Sequence, residues 1–175
     1  MDPRFLPQVL PESPSRVDLH THTLRSDGAW SPEQLVRTAA QQSVDVLAIS
    51  DHDTLVAYGE IEPLATQLQV CLVPALEVST VWGGLSVHVL AYFPPGAVPD
   101  LAQWTAERLD LRRQRLVDMV HKLATLGVEV PLDQLWANVS GVPGRPHLAR
   151  TLVQLGYVTD VAEAFSRYLG SEAPA

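Results

Sequence analysis

Val44-Asp-Val-Leu-Ala-Ile-Ser50, running without a break into Asp51-His-Asp53, is the stretch on which the fold turns. A short apolar run of this length, rich in β-branched residues, predicts a strand buried on both faces, as in a parallel sheet. Its abrupt end in three ionisable residues predicts that the strand's C-terminal end is a working surface. Upstream, Ser31 predicts a helix N-cap, Pro32 the first helical position and Gln34 the return half of a capping box. Leu35, Val36, Ala39 and Ala40 supply that helix's apolar face. Further upstream, residues 16–23 alternate as a strand, followed by a loop holding Ser26-Asp-Gly28. Downstream, a second helix is expected over Val56 to Gln67 and a third strand over Val70 to Val73, continuing toward Glu77. A fourth strand is expected over Leu85 to Phe93, after a Gly83-Gly84 turn. Strand–helix–strand–helix–strand–strand is the opening of an α/β fold with a mainly parallel sheet or barrel. In such folds function gathers at the C-terminal ends of the strands.

The chain has 175 residues, 46% of them hydrophobic and 18% charged, a balance that suits one soluble domain with a real core. Its net charge of −8 argues against a charge-driven binder of nucleic acid in general, but not against a nucleotide substrate held by divalent cations. No apolar run approaches the roughly 20 residues of a membrane span, and the proline-rich start has no continuous apolar segment of the secretory type. A cytoplasmic protein with no membrane partner is expected. Cys71, the only cysteine, sits in an apolar run and reads as a buried strand residue, which excludes an intramolecular disulfide and a cysteine-rich zinc knuckle.

After Phe93 the pattern changes. Pro94, Pro95 and Pro99 mark a break, and Asp100 is placed to cap a long helix through Leu126, with Gly127 beyond its end. Shorter helices are expected over 132–138, 146–155 and 160–169. The predicted organisation is an irregular arm over 1–15, a strand-rich part carrying the chemistry over 16–99, and a helical insertion or subdomain over 100–175.

Residues two apart on a strand point to the same face, so His20 and His22 can grip one metal ion. Asp27, in the following loop, can reach a neighbouring one. Taken alone, a His-x-His pair is as readily a solvated strand end. The pattern recurs, however: the second strand ends at His52, the third leads to Glu77, and the fourth holds His88 between Val87 and Val89. Ionisable groups in apolar strands cost free energy unless partnered, and four consecutive strands each delivering one is a coherent set. Asp18, Asp51 and Asp53 are expected to orient the ligands from behind. Imidazole and carboxylate without thiolate suits zinc, manganese or iron, with Glu77 the natural bridge between two ions. Closely spaced ions suit phosphoryl transfer.

Asp18-Leu-His-Thr-His-Thr23 with Ser26-Asp-Gly28, Ser50-Asp-His-Asp53, Glu77 and Val87-His-Val89 together resemble the PHP (polymerase and histidinol phosphatase) superfamily. Gly144-Arg-Pro-His-Leu-Ala-Arg150 narrows the resemblance to the branch of nucleoside 3',5'-bisphosphate phosphatases and 5'-to-3' exoribonucleases. The resemblance implies a distorted seven-stranded β/α barrel, of which this chain supplies the N-terminal part with a helical insertion. It implies a site for up to three divalent ions: His20 and His22 on the first, Glu77 bridging first and second, His88 on the second, and Asp27 and His52 on the third. It also implies that Arg145 and His147 contact substrate phosphate. The implied reaction is hydrolysis of phosphate esters of nucleotides or short RNA by a metal-activated water, with no side-chain nucleophile. The family's later Ala-His-Pro and Gly-Ser-Asp-x-His segments have no counterpart after Leu169, so the barrel is expected to be incomplete in this chain. Two alternatives follow: a non-catalytic metal-binding remnant, or a histidinol-phosphatase or proofreading-nuclease type of PHP enzyme.

Arg108, Arg112, Arg113 and Arg115 on the long helix read either as a solvated face paired with Glu107, Asp110 and Asp118, or as a basic rim that guides an oligonucleotide. Trp30, Trp82, Trp104 and Trp136 read as packing residues rather than base-stacking platforms, with Trp82, beside Gly83-Gly84, also placed to edge the pocket.

Overall fold

The computed structural model describes residues 15–94 and 100–170, together with Ser13 and Val98. The arm expected over 1–15 therefore lies outside the described residues, apart from its two serines. The chain divides into two compact units, Met1–Thr80 with Val87–Ala102, and Val81–Ser86 with Gln103–Ala175.

The first unit is built on a four-stranded sheet in the order β1 (Val17–Thr21), β2 (Val46–Ile49), β3 (Cys71–Trp82), β4 (Leu85–Tyr92). β1 pairs with β2 and β2 with β3 in parallel. All four residues of β2 are buried, as its continuous apolar run requires. Helices α1 (Pro32–Gln41) and α2 (Val56–Gln67) make the crossovers. The predicted cap of α1 is present in full: the Ser31 hydroxyl accepts from the Gln34 N–H at 3.2 Å, and the Gln34 side chain accepts from the Ser31 N–H at 3.0 Å. Val36 and Ala39 of α1 and Ala57, Ile61 and Ala65 of α2 close over Leu47, Ile49, Val70 and Leu72 to form one core.

β3 is longer than expected, because it continues past Glu77 to Trp82 before the chain turns back. Gly83 and Gly84 have φ of 58° and 82°, the positive pair required by a two-residue turn whose twist matches its strands. The Thr80 hydroxyl donates to the Val87 carbonyl, and the Phe93 N–H donates to the Pro74 carbonyl. Both contacts fit one antiparallel register for β3 and β4. The Tyr92 hydroxyl on β4 reaches the Leu19 carbonyl on β1 at 2.9 Å, although the two strands lie at opposite ends of the strand order. The sheet is therefore strongly curled.

The second unit is helical: α3 (Ala102–Thr125), α4 (Leu132–Ala137), α5 (Arg145–Gln154), α6 (Val161–Ala164) and a π-helical turn over Phe165–Leu169. Leu116, Val120 and Leu123 of α3 meet Leu135, Leu148, Leu152 and Leu169 in its core. The expected single helix over 160–169 is instead two pieces. Asp160 caps the first by accepting from the Glu163 N–H, and the wider π turn lets Gly170 donate back to the Phe165 carbonyl. Trp30 and Trp82 do not pack as expected: they are 46% and 80% exposed. Among the described residues no helix is long and apolar enough to cross a membrane.

Candidate metal centre

The register of the sheet builds the site. β2 and β3 are paired with a constant offset, from Val46 against Cys71 to Ile49 against Pro74, and the same offset carries on past the end of β2 to set His52 against Glu77. Backbone bonds from the Glu77 N–H to the Asp51 carbonyl and from the Asp53 N–H to the Glu77 carbonyl hold this extension. Asp53 adopts φ of 52°, turning the chain away from the sheet, and its carboxylate accepts from the Ser79 N–H at 2.9 Å. On the other flank, the β1–β2 register shifts between Asp18 and Thr21. Such an irregularity re-aims side chains next to it, and here it lies beside His20.

Glu77, in the middle of β3 and 6% exposed, is the hub. Its Oε2 lies 2.9 Å from His20 Nε2 and 3.0 Å from His22 Nε2, and its Oε1 lies 2.6 Å from His88 Nδ1. The two carboxylate oxygens thus face different imidazoles. Asp27 serves a second pair, with Oδ1 3.5 Å from His22 Nδ1 and Oδ2 3.4 Å from His52 Nε2. The four histidine rings form a row, with centroids 5.2, 4.8 and 5.0 Å apart from His20 through His22 and His52 to His88.

Burial lowers the pKa of His22; Asp27 opposes that shift, while the neighbouring His52 reinforces it. The neutral ring, which has a lone pair to offer, is therefore the favoured form. Burial pushes the Glu77 carboxyl upward, but the His20 and His88 hydrogen bonds and the charges of His52 and His22 outweigh it and hold the group below its ordinary value. Glu77 is ionised at neutral pH.

These residues fit divalent metal ions. Two ligands each about 2.1 Å from one ion stand roughly 3–4 Å apart, the spacing found between Asp27 and its two histidines. Three overlapping groups have their donor atoms all within 4.8 Å of one another: His20 with His22 and Glu77, His22 with Asp27 and His52, and His52 with Glu77 and His88. His52 Nδ1 is buried and has no hydrogen-bond partner among the described residues. An orphaned polar atom in such a place is costly and suits a ligand. The structure brings together all six residues that the sequence put forward as ligands.

Behind the ligands lies a buried clamp. The Asp51 carboxylate, fully buried, accepts from the Thr23 N–H at 2.7 Å, the Thr23 hydroxyl at 2.6 Å and the Ser26 hydroxyl at 2.6 Å. These bonds fix the loop between His22 and Asp27. Gly28 seals the loop: a β-carbon there would lie 2.4 Å from the His22 carbonyl oxygen, so no side chain fits. Thr23 and Ser26 appeared in the sequence only as parts of motifs and were given no role, yet one signal pointed to them: a carboxylate directly after a buried strand needs donors, and hydroxyl residues in the facing loop are the nearest supply. Asp18 is exposed, and its carboxylate accepts only weakly from the His20 N–H, at 3.3 Å.

Arg145 and His147 belong to the second unit, at the start of α5. His147 is 2% exposed and its Nδ1 accepts from the Gly144 N–H at 3.2 Å. The half-buried Arg145 guanidinium lies over the Phe165 ring and donates to the Leu169 carbonyl at 3.1 Å.

The chain is similar to several known proteins. A 5'-3' exoribonuclease of Haemophilus influenzae is 37% identical over 155 residues, which cover 89% of this chain and 57% of the relative. A 3',5'-nucleoside bisphosphate phosphatase of Chromobacterium violaceum is 30% identical over 162 residues, covering 91% of this chain and 57% of the relative. The chain thus spans little more than half the length of these relatives. Among solved structures, a Chromobacterium violaceum amidohydrolase with bound sulfate superposes with a TM-score of 0.79 at 30% identity, over 91% of this chain and 57% of the other. With its four-stranded sheet, the chain has the α/β fold of an incomplete barrel of this kind. The model of the PHP domain matches residues 18–135, which include all six candidate ligands. The chain belongs to the PHP domain family.

Proposed function

We propose that the chain carries the metal-binding part of a phosphoesterase that hydrolyses phosphate esters of nucleotides or short RNA. The observation that carries this reading is the clustering of six imidazole and carboxylate ligands, His20, His22 and His88 around the shared carboxylate of Glu77 and His22 and His52 around Asp27. The relatives named as an exoribonuclease and as a bisphosphate phosphatase support the choice of substrate. The donor set suits up to three ions of manganese, zinc or iron: His20 and His22 at one position, Glu77 between two, His88 at the second, and Asp27 and His52 at the third.

When bound, the ions supply Lewis-acid polarisation of water and of the phosphoryl oxygens. The chain's own residues do the rest. Glu77 offers one oxygen to each side, His22 presents a neutral nitrogen, and the Asp51 clamp fixes the separation of His22 from Asp27. The family resemblance supports a role for Arg145 in holding substrate phosphate charge. His147 completes the start of α5, from which Arg145 projects. Bound-metal analysis and phosphate release from 3',5'-bisphosphonucleosides test the proposal. Metal uptake and turnover that both collapse in His22→Ala are expected; failure to bind any transition metal, or unchanged activity in that variant, defeats it.

A second reading, metal binding without turnover, is favoured by the side-chain exposure of His20 at 54% and His88 at 34%, which leaves both ends of the row of imidazoles open to water. Stoichiometric metal with no phosphate release would select it.

A further inference from the structure

The second unit contains a cleft of about 640 Å3, within the roughly 300–1,000 Å3 usual for small-ligand sites. Arg115 and Lys122, two turns apart on one face of α3, line it together with Arg145 from α5 and Ser86. Among the described residues the only carboxylate on its wall is Asp118, which is engaged by the Gln114 side-chain amide at 2.8 Å. In a chain of net charge −8, three cations against one carboxylate is a pronounced local excess.

Two further observations sharpen this. Among the described residues neither Arg115 nor Lys122 has an ion-pair partner. Arg145 is held in place by Phe165 and the Leu169 carbonyl, so its position is set in advance. Burial lowers the pKa of Arg145, and the charges of Arg115 and Arg112 lower it further. Like charges crowded into a half-buried cleft are a standing cost that an anion relieves.

We infer that this cleft binds the phosphodiester backbone of a short oligoribonucleotide through Arg115, Lys122 and Arg145, without reading its bases. The choice of RNA rests on the function proposed above, whereas the choice of phosphate rests on the cleft itself. Three cations at a single-stranded backbone predict that log K falls with log salt at a slope of about −2.1, each phosphate contributing about −0.7.

The test is fluorescence anisotropy of a labelled, 5'-phosphorylated oligoribonucleotide with the full chain in a metal chelator, between about 50 and 200 mM salt. Because no metal is present, the cleft is tested apart from hydrolysis, and its failure leaves the metal-centre reading standing. The Arg115→Ala/Lys122→Ala double variant is expected to flatten the slope to about −0.7 for every base sequence tried. The charge-preserving Arg115→Lys/Lys122→Arg variant is expected to keep it, and Asp118→Asn to tighten binding at an unchanged slope. Inorganic pyrophosphate, which has no base, is expected to displace the oligonucleotide. An unchanged slope in the alanine variant, no displacement by pyrophosphate, or no binding at about 50 mM salt would overturn the inference.

Discussion

Replacing Asp51 by asparagine tests the clamp behind the ligands with almost no change of shape. The carboxylate is fully buried and accepts three bonds of 2.6–2.7 Å from Thr23 and Ser26. Bonds to a charged acceptor contribute about 1.5–3 kcal/mol each. Their simple sum overshoots, because burying the carboxylate costs several kcal/mol in return. In the variant, one amide oxygen can still serve Ser26 and the Thr23 N–H. The new amide N–H must face the Thr23 hydroxyl, whose oxygen already accepts from the Arg25 N–H at 3.1 Å. One charge-assisted bond is lost and two become neutral, so a loss of about 2–4 kcal/mol is expected, out of a typical total of about 5–15. Urea denaturation of the metal-free chain measures it as a lower midpoint at constant slope. Ser26→Ala removes a partner of the same network, so the double variant should lose about 1 kcal/mol less than the sum of the singles. The metal affinity of Asp51→Asn should fall about 10–100-fold, because the loop between His22 and Asp27 loses its anchor. A stability loss under about 1 kcal/mol, or strict additivity with Ser26→Ala, would refute the reasoning.

Three further expectations follow from other parts of the structure. Gly28→Ala puts a methyl against the His22 carbonyl, which belongs to backbone and cannot simply rotate aside; denaturation should show a loss of about 1–3 kcal/mol and calorimetry weaker metal binding. Manganese at about 100 times its dissociation constant should raise stability by about 2.7 kcal/mol, and Glu77→Ala should abolish that gain in a thermal-shift measurement. Glu163, held at a pKa of about 2 chiefly by the Thr159 N–H with Arg167 and the Thr159 hydroxyl, stabilises its helix turn above the ordinary carboxylate range and loses that effect as pH falls toward 2. The melting temperature of Glu163→Gln should accordingly lie below that of the unsubstituted chain at neutral pH and converge with it in acid.

The parts of this structure legible in the sequence are those decided locally. Ser31-Pro-Glu-Gln34 carries a complete cap within four residues, and Val56 to Gln67 forms the expected helix with the expected bounds despite Pro63 inside it. The ligands were legible because ionisable residues stand out against apolar strands. What escaped depends on distant partners. The extension of β3 through Ser79 and Thr80 is sustained by pairing with β4, which the polar residues themselves do not announce. The exposure of Trp30 and Trp82 depends on what packs nearby, not on the indole. Asp51 stood out, but its donors Thr23 and Ser26 are common loop residues made special only by a strand almost thirty positions away.

The constant offset between β2 and β3 carries a consequence for how such a chain can change over time. Glu77 meets His52 because the offset of 25 positions that pairs Val46–Ile49 with Cys71–Pro74 still holds at His52. Residues gained or lost in α2 or its connections alter the numbering but not the pairing, so that stretch is free to drift in length. A single residue deleted between Ile49 and His52, or between Pro74 and Glu77, would swing one ligand to the opposite face of the sheet. Indels among relatives should accordingly cluster in the crossover and be purged from these two dipeptide intervals, Ser50-Asp51 and Ala75-Leu76, which act as the site's measuring rods.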